Sequence, residues 1–319
     1  MKTRLLFAAL LCTTNAYASC GTSFCAVNTN WDTQGMVNDG GLRIDLRYAY
    51  AKADTPRVGA SKASNDPALA APGDEVENLR TINQTLNLDF DYALDRQWSV
   101  VAGLPLVLRN HSHTIAPATI EQGSFSEPGD IRVVGNYRFD SGEPHAGSGF
   151  RFGLKFPTGS TSWEFQPGIA GERSLQPGSG STDAILGAYF RQDLADSPWG
   201  WFVSAQVQTA LSTRNDYRPG NDITLDAGAH YAISPALTGL MQLNAQFKER
   251  DSGLNANPHS GGRNLNLSPG LSFTAAPMTR LYGFVQLPLY QYANPDPAGS
   301  PYGQLTAPWS FAVGISRSY

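Results

Sequence analysis

The sequence predicts an all-β chain that folds as an antiparallel transmembrane β-barrel of about 12 strands, with short periplasmic turns and long extracellular loops. Apolar residues alternate with polar ones through most of the chain, the connections alternate between long and short, and charged residues make up only 16%. Each strand then offers an apolar face to lipid and a polar face to a hydrated lumen. A water-soluble β-sandwich shows the same alternation but has no reason to sort its connections by length.

The chain begins with a segment typical of a secretory signal peptide. Lys2 and Arg4 are basic, an apolar run follows from Leu5 to Cys12, and small residues end at Ala18. The apolar run is much shorter than the roughly 20 residues that a spanning helix needs. We therefore expect residues 1–18 to be cleaved on export, and the loss of the two basic residues changes the formal net charge from −4 to −6. A mildly acidic chain of this kind is not expected to bind nucleic acid.

Residues 19–40 have no clear period and are expected to form a periplasmic N-terminal segment. Cys20 and Cys25 lie in this segment, and an exported protein meets an oxidising environment. We expect a small local disulfide between them, and a redox-active or metal-binding pair is the alternative. The chain contains no Cys-x-x-Cys-His motif for haem attachment.

Residues 41–319 contain the alternating stretches and are expected to form the barrel. In the first stretch Leu42, Ile44 and Leu46 share one face, while Arg43 and Asp45 share the other. The second stretch, Ile82 to Leu94, has the clearest alternation, and the last runs from Pro308 to Tyr319 with an aromatic residue at its end. The expected strands are 42–50, 82–94, 98–108, 131–139, 150–156, 183–192, 199–211, 223–233, 237–247, 265–273, 281–292 and 308–319.

The connections between these strands alternate strictly between long and short. The long ones are 51–78, 110–129, 158–181, 212–221, 249–262 and 293–306, and the short ones are 95–97, 140–148, 193–198, 234–236 and 275–278. Outer-membrane barrels show this asymmetry and have an even number of strands. Both termini of the barrel then lie on the periplasmic side. We expect barrel-assembly machinery to recognise the C-terminal strand that ends at Tyr319.

Four short motifs occur along the chain in the same order as in a known protein family. They are Gly129-Asp130, Gly153-Leu-Lys-Phe-Pro-Thr-Gly159, Leu175-Gln-Pro-Gly-Ser-Gly-Ser-Thr-Asp183 and Gln286-Leu-Pro-Leu-Tyr-Gln291. This order resembles the outer-membrane transporter family named for the meta-pathway of phenol degradation, over residues 42–319. The resemblance implies a porin-like β-barrel that passes hydrophobic or aromatic compounds.

The inward faces of the strands carry the side chains that are expected to control passage. The candidates for lining the lumen and setting ion preference are Arg43, Asp45, Arg47, Asn87, Asp89, Asp91, Arg132, Arg138, Arg151, Lys155 and His230. Alternatively, opposite charges pair across the interior and fill it. A barrel of about 12 strands lies between the filled eight-stranded barrels and the open 16-stranded ones, so both an open and a plugged lumen remain compatible with the sequence.

The predicted function is therefore a channel or transporter for small molecules in the outer membrane of a Gram-negative cell, with lipid and solutes as partners. No catalytic residue, cofactor or metal is expected. An outer-membrane hydrolase is one alternative, because His111 and His113 lie in a predicted outer loop, but such histidines are usually solvated, and a metal site would need a third ligand beside them. The other alternative is a barrel that docks a periplasmic redox protein through Cys20 and Cys25.

Overall fold

A computed structural model describes residues 41–140, 142–143, 145–214, 216–254 and 256–319. The predictions for the signal peptide, the N-terminal segment and the disulfide between Cys20 and Cys25 lie outside the described residues.

The described residues form a closed antiparallel barrel of twelve strands, which confirms the predicted fold class. The strands are β1 (Gly41–Ala53), β2 (Glu75–Ala93), β3 (Trp98–Ile115), β4 (Thr119–Pro128 and Arg132–Arg138), β5 (Ala146–Lys155), β6 (Ser181–Asp193), β7 (Trp199–Thr213), β8 (Asp222–Ala232), β9 (Leu237–Lys248), β10 (Gly262–Ala276), β11 (Thr279–Ala293) and β12 (Ser310–Ser318). Each strand pairs with its neighbours in the chain, and β1 also pairs with β12. Leu46 of β1 thus lies between Leu88 of β2 and Ile315 of β12.

Two of the predicted long loops are partly β-structure instead. The segment 110–129 was expected to be a loop, but β3 continues to Ile115 and pairs with Thr119–Pro128 of β4. Strand β2 likewise begins at Glu75, inside the expected loop 51–78. Both faces of these extensions carry polar residues, so they lack the hydrophobic alternation that marks a strand in contact with lipid.

The two segments of β4 occupy one position in the barrel beside β3. Its break falls at residues 129–131, next to Pro105 of β3, which has no N–H to donate to the ladder. The Gly129 N–H donates to the Pro105 carbonyl at 2.8 Å, so the chain stays attached to β3 across the break. Pro105 therefore lies at the boundary between the membrane-spanning part of β3 and its extension.

The loops at the long-loop end contain further short elements. These are the strands Thr55–Val58, Ser61–Lys62, Glu164–Gln166, Ile169–Ala170, Tyr217–Arg218, Ser252–Gly253 and Gln304–Thr306, and the 3₁₀ helices Pro67–Leu69 and Arg173–Leu175. None of the helices in the described part of the chain is long and apolar enough to cross a bilayer.

The outer wall of the barrel is an apolar band with an aromatic girdle at each end. Its exposed side chains include Leu104, Phe152, Leu186, Val203, Leu225, Leu243, Leu271, Leu287 and Val313. At the long-loop end, Tyr50, Trp309 and Phe311 pack together, with ring centroids 5.5 to 6.1 Å apart. At the short-turn end, the Trp98 ring lies 4.8 Å from Tyr137 and the Trp199 ring lies 4.7 Å from Tyr231. This arrangement is that of a wall that faces hydrocarbon between two interfaces.

Candidate functional site: the lumen and its outer rim

The charged candidates on β1 and β2 face the interior, and several are paired there. Arg43 and Asp91 are both buried and form an ion pair between the two strands. Asp45, which is also buried, accepts a hydrogen bond from the Tyr282 hydroxyl of β11 at 2.7 Å. Arg43 and Asp45 are therefore paired along the inner wall, Arg43 with the adjacent strand and Asp45 with a strand two positions away. Arg47 lies two residues beyond Asp45 on β1 and is half-buried.

Arg132 is the candidate with the most accessible side chain at the middle of the lumen. It is exposed, while Asn87 and Asp89 are half-buried on the neighbouring wall. The Asn87 amide donates to the Thr85 hydroxyl at 3.3 Å. Asp89 occupies the space that a side chain at residue 103 would fill, since a Cβ added to Gly103 would lie 2.7 Å from Asp89 Oδ1.

Arg138, Arg151 and His230 lie nearer the short-turn end. Arg138 is buried, and Arg151 is half-buried and donates from Nε to Asn136 Oδ1 at 3.1 Å. The His230 imidazole lies 3.2 Å from Asp193 Oδ1, so it is a hydrogen-bonded residue of the interior.

Lys155 is the centre of an ionic node where three of the four family motifs meet. Its Nζ lies 2.6 Å from Asp183 Oδ2 and 3.5 Å from Asp130 Oδ2. Asp130 also accepts hydrogen bonds from the Gly159 N–H at 3.0 Å and from the Ser179 N–H at 2.8 Å. One buried carboxylate thus holds the beginning and the end of the loop between β5 and β6.

The glycines of these motifs allow the two ends of that loop to cross. A Cβ on Gly159 would lie 2.7 Å from the Gly178 Cα, and a Cβ on Gly178 would lie 2.4 Å from the Gly159 carbonyl oxygen. Only glycine permits backbones to approach this closely. The motif residues therefore encode the geometry of the rim.

The interior also contains apolar side chains that the sequence did not assign to it. Ile185, Tyr189, Phe202, Leu240, Tyr282 and Phe284 are all buried. All four of these aromatic rings lie over a glycine of the adjacent strand, where a Cβ would be 2.3 to 2.8 Å from the ring: Tyr189 over Gly149, Phe202 over Gly228, Tyr282 over Gly314 and Phe284 over Gly270. A glycine opposite an aromatic residue in the register was the signal that could have identified them.

The inner wall opposite the charged strands is mostly lined by amides and hydroxyls. Asn244 of β9 is buried, donates to Asp226 Oδ1 at 2.7 Å and accepts from the Ser268 hydroxyl at 2.6 Å. Gln242 and Asn266 are buried beside it. The lumen therefore has an ionic wall, defined here as the inner face of β1 to β5, and an amide wall, the inner face of β7 to β10.

His111 and His113 were expected to be solvated loop residues, and the structure shows that this expectation was wrong. Both lie on the β3 extension, with 0% and 1% of their surface exposed. The outward residues of β3 change from leucine to polar types after Leu108, so both imidazoles lie beyond the apolar band. Burial lowers the pKa of His111 to about 3, with His113 and Arg109 adding to the effect, and burial lowers the pKa of His113 to about 4.

Three glutamates face these imidazoles. His111 Nε2 lies 3.2 Å from Glu77 Oε1, His113 Nδ1 lies 3.2 Å from Glu75 Oε1, and His113 Nε2 lies 3.5 Å from Glu121 Oε2. Burial, with the nearby Glu121 carboxylate adding to the effect, raises the pKa of Glu75 to about 7. We name these five residues the rim cluster. The sequence indicated the two histidines but not the acids, which come from two other strands.

The model of one protein family matches most of the barrel. The family is described as "Putative MetA-pathway of phenol degradation", and the match covers residues 75–299. The chain belongs to this family. The family resemblance expected from the four motifs is thereby confirmed. No curated protein matches the chain in sequence.

Solved structures share the fold of this family member. An outer membrane channel from Pseudomonas putida F1 superposes with a TM-score of 0.65 at 13% identity, and the alignment covers 89% of this chain and 97% of that one. The β-domain of the Bordetella autotransporter BrkA has a TM-score of 0.49 at 12% identity, covering 88% and 100%. The NanC porin has a TM-score of 0.47 at 11% identity, covering 86% and 100%. At these identities the first structure supports the fold alone.

Proposed function

We propose that this family member is a channel for small molecules in the outer membrane, and that a signal peptide directs its export. One observation carries the proposal: a closed barrel has an apolar outer wall between two aromatic girdles and an inner wall of ionic and amide side chains. Such a wall interacts favourably with water and solutes inside and with lipid outside. The orientation follows from the loops, with the short turns in the periplasm and the rim cluster on the cell surface.

We propose further that the solutes include hydrophobic or aromatic compounds. The family description refers to phenol degradation, and the interior combines buried aromatic rings with amide groups. Phe202 and Phe284 contribute aromatic rings to the inner wall, and Gln242 and Asn244 contribute amide groups, with all four side chains buried there. A phenol-like solute presents both kinds of surface.

Conductance of the purified barrel in a planar lipid bilayer tests the channel. Arg132→Glu reverses the charge of an exposed lumen side chain, so we expect it to shift ion preference towards cations. Arg96→Glu is the matched control, because Arg96 is exposed in the short turn between β2 and β3. Absence of conductance in the unmodified protein, or an equal ion preference in both variants, would contradict the proposal.

Swelling of liposomes that contain the barrel tests the solute class. We expect phenol-sized aromatic alcohols to enter faster than sugars of similar mass, relative to liposomes without protein. Equal rates of entry for both solutes would be consistent with a channel but would contradict the proposed preference for aromatic compounds.

The two alternatives stay predictions with their own tests. Docking of a periplasmic redox protein depends on Cys20 and Cys25, and thiol-dependent co-purification that is lost in Cys25→Ser would support it. Hydrolase activity would be supported by esterase or protease turnover that is abolished in His111→Ala.

A further inference from the structure

The rim cluster is built by three strands above the membrane. His111 and His113 are two residues apart on β3 and therefore face the same side of the sheet. Glu121 lies directly opposite His113 on β4. The register of β2 shifts between Val76 and Arg80. A bulge of this kind redirects side chains, and it brings the carboxylates of β2 towards both imidazoles.

The distances within the cluster match those between ligands on one metal ion. His111 Nε2 and His113 Nδ1 lie 3.0 Å apart, and each is 3.2 Å from a glutamate oxygen. Ligands of a tetrahedral zinc ion, at bond lengths of about 2.0–2.2 Å, are about 3.3 Å from each other. One carboxylate oxygen of Glu75 and the two imidazole nitrogens all lie within 4.8 Å of one another.

The remaining nitrogens of both rings have partners of the kind that metal-binding histidines use. His111 Nδ1 makes a 2.7 Å hydrogen bond with the Thr81 hydroxyl, and His113 Nε2 points towards the Glu121 carboxylate. Such outer partners orient the imidazole and fix its tautomer, so that the other nitrogen presents its lone pair to the ion.

Burial makes this cluster costly without a cation. Glu77, His111 and His113 have at most 3% of their surface exposed. Within the described part of the chain, Glu75 Oε1 is a buried carboxylate oxygen that accepts no hydrogen bond, although His113 Nδ1 lies 3.2 Å from it. Buried polar groups are normally satisfied, and excess buried carboxylates are normally neutralised. A divalent ion would satisfy the Glu75 oxygen and offset the negative charge of the three glutamates.

Aromatic side chains from the loop after β5 cover the cluster. The Phe165 ring centroid lies 5.6 Å from His111 and 5.2 Å from His113, and Trp163 packs on Phe165 at 4.7 Å. Gly123 of β4 makes room for this cover, because a Cβ there would lie 2.7 Å from both aromatic side chains. A covered site of low dielectric strengthens the attraction between a cation and its carboxylates.

We propose that Glu75, His111 and His113, with Glu77 as the fourth ligand, bind one divalent transition-metal ion of the zinc class. Two imidazoles and carboxylates suit Zn²⁺ and its neighbours in the first row, whereas Ca²⁺ and Mg²⁺ prefer oxygen ligands alone. The ion joins the extensions of β2 and β3 at the cell-surface rim. This role is structural and does not depend on the solute that the lumen passes.

Cobalt binding to the folded, full-length barrel tests the site. The protein is purified in detergent, stripped with a chelator, treated to alkylate free thiols, and titrated with Co²⁺ while its visible absorption is recorded. We expect one Co²⁺ per chain, an absorption typical of four-coordinate cobalt, and displacement by Zn²⁺. Failure of the unmodified protein to bind cobalt stoichiometrically would overturn the proposal.

Variants assign the binding to the rim cluster. His113→Gln and Glu75→Gln each remove one ligand and are expected to abolish stoichiometric binding, while His259→Gln, a buried histidine of another loop, leaves it unchanged. Thr81→Val keeps all four ligands and is expected to weaken binding by about 10–100-fold, as loss of an outer partner does. It therefore tests the site even if a ligand variant misfolds. Equal cobalt affinity in all of these variants would overturn the assignment.

Discussion

A charge placed on the outer wall at Leu88 gives the sharpest test of the membrane-spanning barrel. Leu88 lies on β2 in register with Leu46 of β1 and Leu104 of β3, within the apolar band. It is four residues from Gln84, which accepts a hydrogen bond from Tyr48 at the long-loop girdle, and four from Tyr92 at the opposite end. The substitution Leu88→Arg therefore places a guanidinium halfway between the two interfaces.

The structure sets the size of the expected effect. Four residues of β-strand span about 13 Å, which corresponds to about 10 Å along the membrane normal at a strand tilt of about 40°. An arginine at this depth must remain in hydrocarbon or thin the bilayer around it. The expected loss of folding free energy is about 2–4 kcal/mol, equivalent to a decrease of about 30- to 900-fold in the folding equilibrium constant.

Reversible unfolding by urea in lipid vesicles measures this loss. Gln84→Arg is the matched control, because it places the same side chain on the same face of the same strand at the interface, where the cost is about 0–1 kcal/mol. Equal destabilisation by the two variants would refute the assignment of this wall to the membrane interior.

Three further predictions concern the long-loop end. Lys155→Met leaves the carboxylates of Asp183 and Asp130 buried without their cation. We therefore expect the free energy of unfolding in urea to decrease by about 3–5 kcal/mol. A decrease below 1 kcal/mol, roughly the value of an exposed ion pair, would contradict the ionic node. Gly159→Ala introduces a Cβ 2.7 Å from the Gly178 Cα and should cost about 1–3 kcal/mol, seen as faster proteolysis of the loop after β5, whereas Gly239→Ala, with its nearest contact at 3.5 Å, should leave that rate unchanged. Burial lowers the pKa of His259 despite the Asp296 carboxylate beside it. The unfolded state therefore binds more protons than the folded state at low pH. The stability of the loop that contains His259 should then fall as the pH drops below about 6.5. Proteolysis across this pH range should show a weaker dependence in His259→Gln.

The sequence was sufficient for the barrel because each strand in contact with lipid alternates with period two. Leu42, Ile44 and Leu46 face hydrocarbon, and this requirement makes the strand visible. The extension of β3 was missed because its outward residues, such as Asn110 and Ser112, are polar and carry no hydrophobic signal.

The candidate sites depended on contacts between strands that a single sequence does not reveal. The rim cluster requires the register shift in β2 that brings Glu75 and Glu77 towards His111 and His113. The buried ring of Phe202 was overlooked because apolar residues were assigned to the lipid face, whereas a glycine on the adjacent strand makes room for it inside. Lumen charges such as Arg43 followed directly from the strand period, but their pairing partners did not.

The pairing of β1 with β12 has a consequence for how the molecule forms. Nine residue pairs, from Arg43 with Ser318 to Ala51 with Ser310, join segments at opposite ends of the chain. All other barrel strands pair with sequence neighbours. The pairing of β1 with β12 therefore has by far the greatest entropic cost of loop closure and should form last. Until it does, the growing sheet exposes two adhesive edges, and whichever factor shields them during insertion controls whether the chain matures or aggregates.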